Sequence, residues 1–404
     1  MRIAYLISQY PAITHTFILR EIRTLRSLGF DVDVVSIRAA DRPLANMSSE
    51  EQEEAARTWA VLPQGVPHIA AAQLSVFFSR PGLYLKALWS AATIAFLNLP
   101  ATVSNLAYFA EAMTAGRYLH GRGITHFHTH FCSNVAMWIP RVFPISFSAT
   151  IHGPDEFNDS AGFFLAEKAA SARFLCTISQ YARSQLMRAS DPQYWDKLEV
   201  SPLGVDPDLF TPRPHREACE QFEIVSVGRL ASAKAQVVLV EAIAELVRQK
   251  RPIRLRLAGE GPERSRLETL IARHKLHQHV ILEGACSQAQ VRQLYQQSDL
   301  FVLASFAEGV PVVLMEAMAM EIPCLSTWIT GVPELIQHDV NGWLIPPSDV
   351  SALVAAIAHL MDHPDLRLRL GRAGRVQVQE NYNLRKNTER LAEIYRRRLA
   401  STRS

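Results

Sequence analysis

The sequence is short of cysteine, with five in 404 residues, and Cys132, Cys176, Cys219, Cys286 and Cys324 are scattered without a C-x-x-C pair. A dispersed, odd-numbered set excludes a disulfide framework and a cysteine zinc site, and it fits a reducing compartment. An excess of one charge sign is lacking too: 42 Lys and Arg stand against 39 Asp and Glu, a net charge of +3. Without a basic and aromatic cluster, no nucleic acid is expected as partner. The opening MRIAYLISQYP holds an apolar run too short for a signal-peptide core and reads as a buried strand, so a cytoplasmic location is expected. Internal repeats and low-complexity segments are also missing.

Long uncharged runs are scarce, with one exception. Residues 87–110, ALWSAATIAFLNLPATVSNLAYFA, carry no charge over a length that can cross a bilayer. Asn98, Pro100, Ser104 and Asn105 interrupt its middle, so a helix pair is expected, buried in the fold or lying on the inner face of the plasma membrane.

What the sequence does contain is alternation. RIAYLIS, the amphipathic HTFILREIRTLRSLGF and DVDVVSI form a βαβ opening, which implies a parallel sheet with helices on its faces. Further strand-like runs follow in ITHFHTHF, SFSATIHG, RFLCTIS and KLEVSPLGV. After the proline-bearing segment DPDLFTPRPHREACEQ (206–221) the alternation restarts with EIVSVG, IRLRLAG, VILEGA and LFVLAS, separated by helical patterns near 236–249, 263–274 and 288–297. Ser287 and Gln290 form a capping box ahead of the last of these. The expected fold is α/β, with two doubly wound domains, 1–205 and 206–380, whose facing strand ends define a central cleft. A basic helix at 381–404 is expected to pack back on the first domain.

The stretch SFAEGVPVVLMEAM (305–318) follows the buried strand DLFVLAS, at the strand end where open α/β sheets bind ligands. Gly309 permits close backbone approach, Pro311 suits a first helical turn, and the amides of Val312 and Val313 would be open to phosphate. Glu308 before that helix and Glu316 inside it can hold different hydroxyls of one elongated ligand, such as a sugar nucleotide. VSVGRLASAKAQ places Gly228, Arg229 and Lys234 after the first strand of the second domain, where two cations would neutralise a diphosphate.

VGRLASAK, LAGEGPER, VILEGACS, SDLFVLASFAEGVPVVLMEAMAMEIPCLSTWITGVPELI and NGWLIPPSD, in this order over about residues 223–380, resemble the second domain of family 4 retaining glycosyltransferases of the GT-B fold. SQYPAITHTFILREI, HFHTHF, ATIHGPDEF and TISQYARSQL in the first domain resemble the colanic-acid-type subgroup that builds bacterial exopolysaccharides. The resemblance implies that Arg229 and Lys234 bind diphosphate, Glu308 the donor-sugar hydroxyls and Glu316 the ribose. It implies backbone contacts from Gly309, Val310, Val312 and Val313 to phosphate, and from Ala285 and Cys286 to the base. His152 matches the family's cleft histidine beside the transferred sugar. The sequence departs from the family pattern at Ala235 and Glu321, where glycine is common and a surface turn would tolerate the change. It also lacks the glycine pair after the first strand, where Thr14 and Thr16 offer hydroxyl donors instead.

His126, His128 and His130 share one face of a strand, but no carboxylate or cysteine completes a metal set, and they are expected to line the cleft. GEGPER has Arg264 where a dinucleotide fingerprint needs its third glycine. DVD at 31–33 falls inside a strand. Neither a metal nor another cofactor is therefore expected. The expected activity is transfer of a sugar from a nucleotide diphosphate donor, on resemblance UDP, to a hydroxyl of a growing glycan. That acceptor is expected to be an exopolysaccharide or other surface glycan such as lipopolysaccharide, carried on a polyprenyl diphosphate. The alternatives are a nucleotide-sugar 2-epimerase of the same architecture and a non-catalytic nucleotide-sugar-binding partner.

Overall fold

A computed structural model describes residues 1–13, 16–94, 98–212 and 221–400. The chain divides into two compact units. The first comprises Met1–Ile178, Ala182–Ser201 and the residues from Thr388 onward, and the second Ser179–Tyr181 and Pro202–Asn387.

The first unit is built on seven parallel strands: β1 (Arg2–Gln9), β2 (Asp31–Arg38), β3 (Thr58–Ala60), β4 (His126–His130), β5 (Ser146–Ile151), β6 (Phe174–Thr177) and β7 (Leu198–Val200). Their spatial order is β3-β2-β1-β4-β5-β6-β7. Parallel strands are covered on both faces, which is why Ile3 to Ile7 are apolar without a break and fully buried. One face packs on the helices Gly65–Ser79, Pro81–Thr93 and Leu99–Gly121 through Val76, Ala91, Phe109 and Met113. The other carries the helix Thr16–Ser27 and, from the chain's far end, Leu391, Ile394 and Tyr395 of the helix Leu384–Ala400.

The uncharged run 87–110 thus joins two helices and lies beside a third, with residues 95–97 outside the described part. Among the described residues no helix is long and apolar enough to cross a membrane. Asp31 and Asp33 of the DVD run sit on β2, where Arg2 pairs with both and Arg122 with Asp33.

The second unit holds six parallel strands: β8 (Phe222–Val227), β9 (Ile253–Ala258), β10 (Val280–Gly284), β11 (Leu300–Leu303), β12 (Cys324–Thr327) and β13 (Trp343–Ile345). Their order, β10-β9-β8-β11-β12-β13, reverses direction between β8 and β11. Ligands bind outside the carboxyl ends of strands at such a reversal. Gly259 and Gly261 of GEGPER serve backbone packing: a Cβ on them would lie 2.0 Å from the Gly228 carbonyl oxygen and 2.2 Å from that of Leu230.

The three β4 histidines depart from the sequence expectation. His126, His128 and His130 are 3%, 0% and 0% exposed, so they form a buried ladder rather than a cleft wall. The parallel register sets β5 hydroxyls beside them: His126 bonds Ser146 and Ser148, both at 2.9 Å, and His128 bonds Ser148 at 2.8 Å and Thr150 at 2.9 Å. Burial lowers the His126 pKa to about 3 and carries His128 well below its ordinary value. Because these folded-state pKa values lie below the unfolded one, their stabilising contribution is complete above the unfolded histidine pKa, about 6.5, and declines as pH falls below it. Denaturant unfolding at pH 5.5 against pH 7.5 should therefore show a loss of about 1 kcal/mol for each of the two histidines. Equal stability at the two pH values would mean that they are not held neutral.

Candidate active site

Four loops at the carboxyl edge of the second sheet carry the residues singled out in this half of the sequence. β8 ends at Val227, and the chain continues through Arg229 into the short turn Ser232–Lys234 before the helix Gln236–Arg248. β11, on the other side of the reversal, leads through Ser305–Val310 into the helix Val312–Ala319. The backbone ties the two loops together: the amides of Phe306 and Ala307 both donate to the Ala233 carbonyl, at 2.8 Å and 3.3 Å.

That tie brings Lys234 and Glu308 into contact. Lys234 Nζ lies 2.6 Å from Glu308 Oε1 and 2.8 Å from Oε2, and Ser305 Oγ donates to Oε1 at 2.6 Å. The Glu308 side chain is 6% exposed and that of Lys234 is 25% exposed, so the carboxylate is inside and the lysine side chain stays partly open. The Glu308 carbonyl accepts from Thr330 Oγ1, and Thr327 Oγ1 donates to the Ser305 carbonyl at 2.7 Å. The loop after β12 therefore buttresses the loop after β11.

The helix Val312–Ala319 starts from Pro311, whose carbonyl receives the Leu314 and Met315 amides. Pro311 is the residue before the first helical one rather than a member of the first turn, and its side chain supplies no cap. Val312 and Val313 thus belong to the amides that a helix start leaves without intrahelical partners. They are half-buried, beside half-buried Gly309 and buried Val310. Gly331 is required to be glycine by this loop, since a Cβ on it would sit 2.6 Å from the Gly309 carbonyl oxygen.

Glu316 lies one turn into this helix, 6% exposed, and accepts a hydrogen bond from Tyr295 Oη at 3.2 Å. Burial, followed by the nearby carboxylate, raises the Tyr295 phenol well above its ordinary pKa, so it remains a donor. Sequence reasoning missed Tyr295; its place on the buried stripe of the helix Gln288–Gln297 was the available signal.

Arg229 is exposed, and its carbonyl, not its guanidinium, is engaged, by Gln236 Nε2 at 2.9 Å. Ala285 is exposed and Cys286 half-buried in the turn after β10, before the Ser287 and Gln290 capping box. Burial, followed by Glu283, raises the Cys286 thiol, which makes it a poor nucleophile. Ala235 and Glu321 are left-handed, with φ of 50° and 59°. Neither is on an open surface turn, since Ala235 is buried and Glu321 half-buried.

In the first unit, His152 follows β5 and opens the turn into the helix Pro154–Asn158. Its amide donates to Glu156 Oε2 at 2.7 Å, and its ring meets His130 and stacks on Phe131 at 4.3 Å between centroids. Thr16 opens the helix Thr16–Ser27, while Thr14 lies outside the described residues. Among the described residues no group of three metal-ligating side chains is assembled.

Residues 210–377, nearly all of the second unit, match the family described as Glycosyl transferases group 1. These residues form a group 1 glycosyltransferase domain. The putative colanic acid biosynthesis glycosyltransferase WcaL of Escherichia coli is 28% identical to this glycosyltransferase, over 98% of this chain and 99% of its own. The amylovoran biosynthesis glycosyltransferase AmsK of Erwinia amylovora is 26% identical, over 98% and 100%. Among solved structures, sucrose-phosphate synthase of Thermosynechococcus elongatus superposes with a TM-score of 0.77 at 19% identity, covering 100% of both chains. Anabaena HepE in complex with UDP-glucose superposes with a TM-score of 0.73 at 15% identity, covering 99% of this chain and 100% of that one. The chain is a glycosyltransferase of the α/β, two-domain GT-B fold.

Close contact between the Gly331 and Gly309 backbones makes a local prediction. Gly331→Ala should cost about 1–3 kcal/mol in urea unfolding, because the added methyl must displace the Glu308 loop. An unchanged midpoint would show that the loop yields freely.

Proposed function

We propose that this glycosyltransferase is a retaining, family 4 enzyme that moves a sugar from a UDP-sugar to a hydroxyl of a growing, lipid-linked exopolysaccharide. The observation that carries this reading is the Lys234–Glu308 pair at the reversal point of the second sheet. Glu308 fixes the ammonium before any ligand arrives, so positive charge is already aimed where the diphosphate departs. Its carboxylate then also accepts hydroxyls of the donor sugar. Arg229 and the amides of Val312 and Val313 complete the diphosphate contacts, backbone of Ala285 and Cys286 meets the base, and Glu316, steadied by Tyr295, takes the ribose hydroxyls.

As the bond from anomeric carbon to diphosphate oxygen stretches, the carbon gains oxocarbenium character and the oxygen gains charge, which the cations stabilise. The acceptor hydroxyl adds from the face the diphosphate leaves, passing its proton to the departing diphosphate oxygen, which keeps the anomeric configuration. In this proposal His152 orients the transferred sugar by a hydrogen bond. Support for UDP comes from the HepE complex with UDP-glucose, and support for an exopolysaccharide acceptor from the names of WcaL and AmsK.

Peripheral attachment to an anionic membrane is part of the proposal, and the helices Gly65–Ser79, Pro81–Thr93 and Leu99–Gly121 support it. Leu74, Phe78, Leu85, Trp89, Leu99 and Val103 are exposed, several by more than half. Between Thr58 and Ala110 the sequence has no acidic residue, and only Arg80 and Lys86 are charged. A surface free of acidic side chains, with exposed aromatic and aliphatic ones, suits the interface of an anionic bilayer, where a lipid-linked acceptor resides.

Glu308→Ala and Lys234→Ala should each lower acceptor-dependent UDP release by roughly 10²-fold or more, the usual scale for removing a preorganised charge from a leaving-group site. Turnover within a few fold of the parent in both variants would refute the assignment. In a separate measurement, the protein should co-sediment with phosphatidylglycerol-containing vesicles, and the double substitution Phe78→Ser, Trp89→Ser should weaken this without altering transfer to a soluble acceptor. Equal sedimentation of parent and variant would remove the membrane from the proposal.

A further inference from the structure

Two large aromatic side chains stand open on the loops that form and buttress the Lys234–Glu308 pair. Of the six tryptophans, only Trp89 and Trp328 are more than half exposed. Trp89 belongs to the apolar surface described above, whereas Trp328, 59% exposed, lies in the loop after β12. Phe306, 48% exposed, lies in the loop after β11, two residues before Glu308.

This exposure is not accompanied by a loose backbone. The Trp328 amide donates to the Ile345 carbonyl at 2.7 Å, and the Ile329 amide returns to the Thr327 carbonyl at 3.0 Å, closing a three-residue turn centred on Trp328. Thr327 Oγ1 donates to the Ser305 carbonyl on one side, and Thr330 Oγ1 to the Glu308 carbonyl on the other. Thr330 has a φ of 43°, unfavourable for a β-branched residue, and such strain persists where surrounding contacts over-determine a loop, as at ligand clamps. The Phe306 amide is fixed at 2.8 Å to the carbonyl of Ala233, the residue before Lys234.

We infer that Trp328, seconded by Phe306 on the adjoining loop, is a stacking platform for the C–H face of a hexopyranose ring whose hydroxyl rim Glu308 takes. A pyranose is polar at its rim and apolar on its faces, so a carboxylate and an aromatic ring on hydrogen-bonded loops are complementary halves of one sugar site. Strand order favours a sugar over the base as occupant. Trp328 follows β12, four strand positions or roughly 19 Å from β10, whose loop carries the proposed base contacts. With its diphosphate between β8 and β11, a nucleotide sugar laid along this edge points its sugar toward β12. The inference rests on the donor-site reading above. The same ring chemistry is offered by the donor sugar and by the acceptor's terminal sugar, and experiment separates the two.

Being exposed, Trp328 can be replaced with little effect on stability. With 5-fluorotryptophan in the full chain, the ¹⁹F resonance of Trp328, assigned with Trp328→Phe, is followed on addition of UDP and of UDP-glucose. A shift with UDP-glucose that UDP does not produce identifies the donor sugar. In transfer to a soluble acceptor, Trp328→Ala should then raise the donor KM roughly three- to tenfold and leave the acceptor KM unchanged, while Trp328→Phe stays within about twofold of the parent, the scale of an aromatic contact. A resonance that stays still, with the rise falling on the acceptor KM instead, identifies the acceptor sugar. Equal shifts with UDP and UDP-glucose assign Trp328 to the nucleotide and overturn the inference, as do unchanged KM values for both substrates in Trp328→Ala. A parent protein whose Tm responds to neither UDP nor UDP-glucose would overturn the proposed donor site itself, a result distinct from a silent Trp328 in a protein that binds both.

Discussion

The contact between Lys234 and Glu308 depends on a topological constraint before it depends on charge. In an all-parallel sheet every strand delivers its following loop to the same edge, and two loops become neighbours only where their strands do. β8 and β11 are adjacent although three strand-to-strand connections lie between them in sequence. The crossover helices therefore leave on opposite faces, and the loops meet with no helix roofing the gap. A buried carboxylate there would be costly if unpaired. Lys234 and Ser305 satisfy it, while the Lys234 side chain keeps a quarter of its surface open. One partner is thus desolvated and anchored, and the other is positioned yet reachable, which is the asymmetry a site for an anionic ligand needs.

The first sheet uses the same topology differently. Its order reverses between β1 and β4, and β4 at that point carries histidines instead of a Gly-rich turn. Two of them spend both ring nitrogens on serine and threonine hydroxyls of β5, so their polarity is consumed inside the sheet. His130, the last of the run, has outlived the supply of β5 hydroxyls and turns to Glu21 and His152. A period-two pattern on one strand therefore changes from structural filling to a connection with a residue of functional interest in a single step along the chain.

Much of this was legible in the sequence because hydrophobic periodicity reports burial directly. The strand runs EIVSVG, IRLRLAG, VILEGA and LFVLAS fall on β8 to β11, and the capping box at Ser287 and Gln290 forms as its spacing requires. The three-residue strands β3 and β13 gave no such signal, since three residues cannot display a period. Strand order is likewise invisible locally. That is why Lys234 and Glu308 could each be marked as a strand-end charge, yet their pairing needed the structure. The histidines misled for a related reason: alternation shows which side chains share a face, but not whether β5 supplies hydroxyls that let imidazole be buried there.

Ala235 and Glu321 show how such a fold accommodates departures from a favoured residue. Both adopt left-handed backbone angles, which cost a side-chain-bearing residue about 1 kcal/mol relative to the right-handed region. Ala235 is enclosed because its amide closes the Ser232–Lys234 turn and its carbonyl begins the helix Gln236–Arg248. The turn that aims Lys234 at Glu308 and the first turn of that helix share this single residue. Relaxing the strain would require moving one or the other. The local cost is accordingly retained with the turn, and it is a cost that glycine, which adopts a positive φ without strain, would not carry.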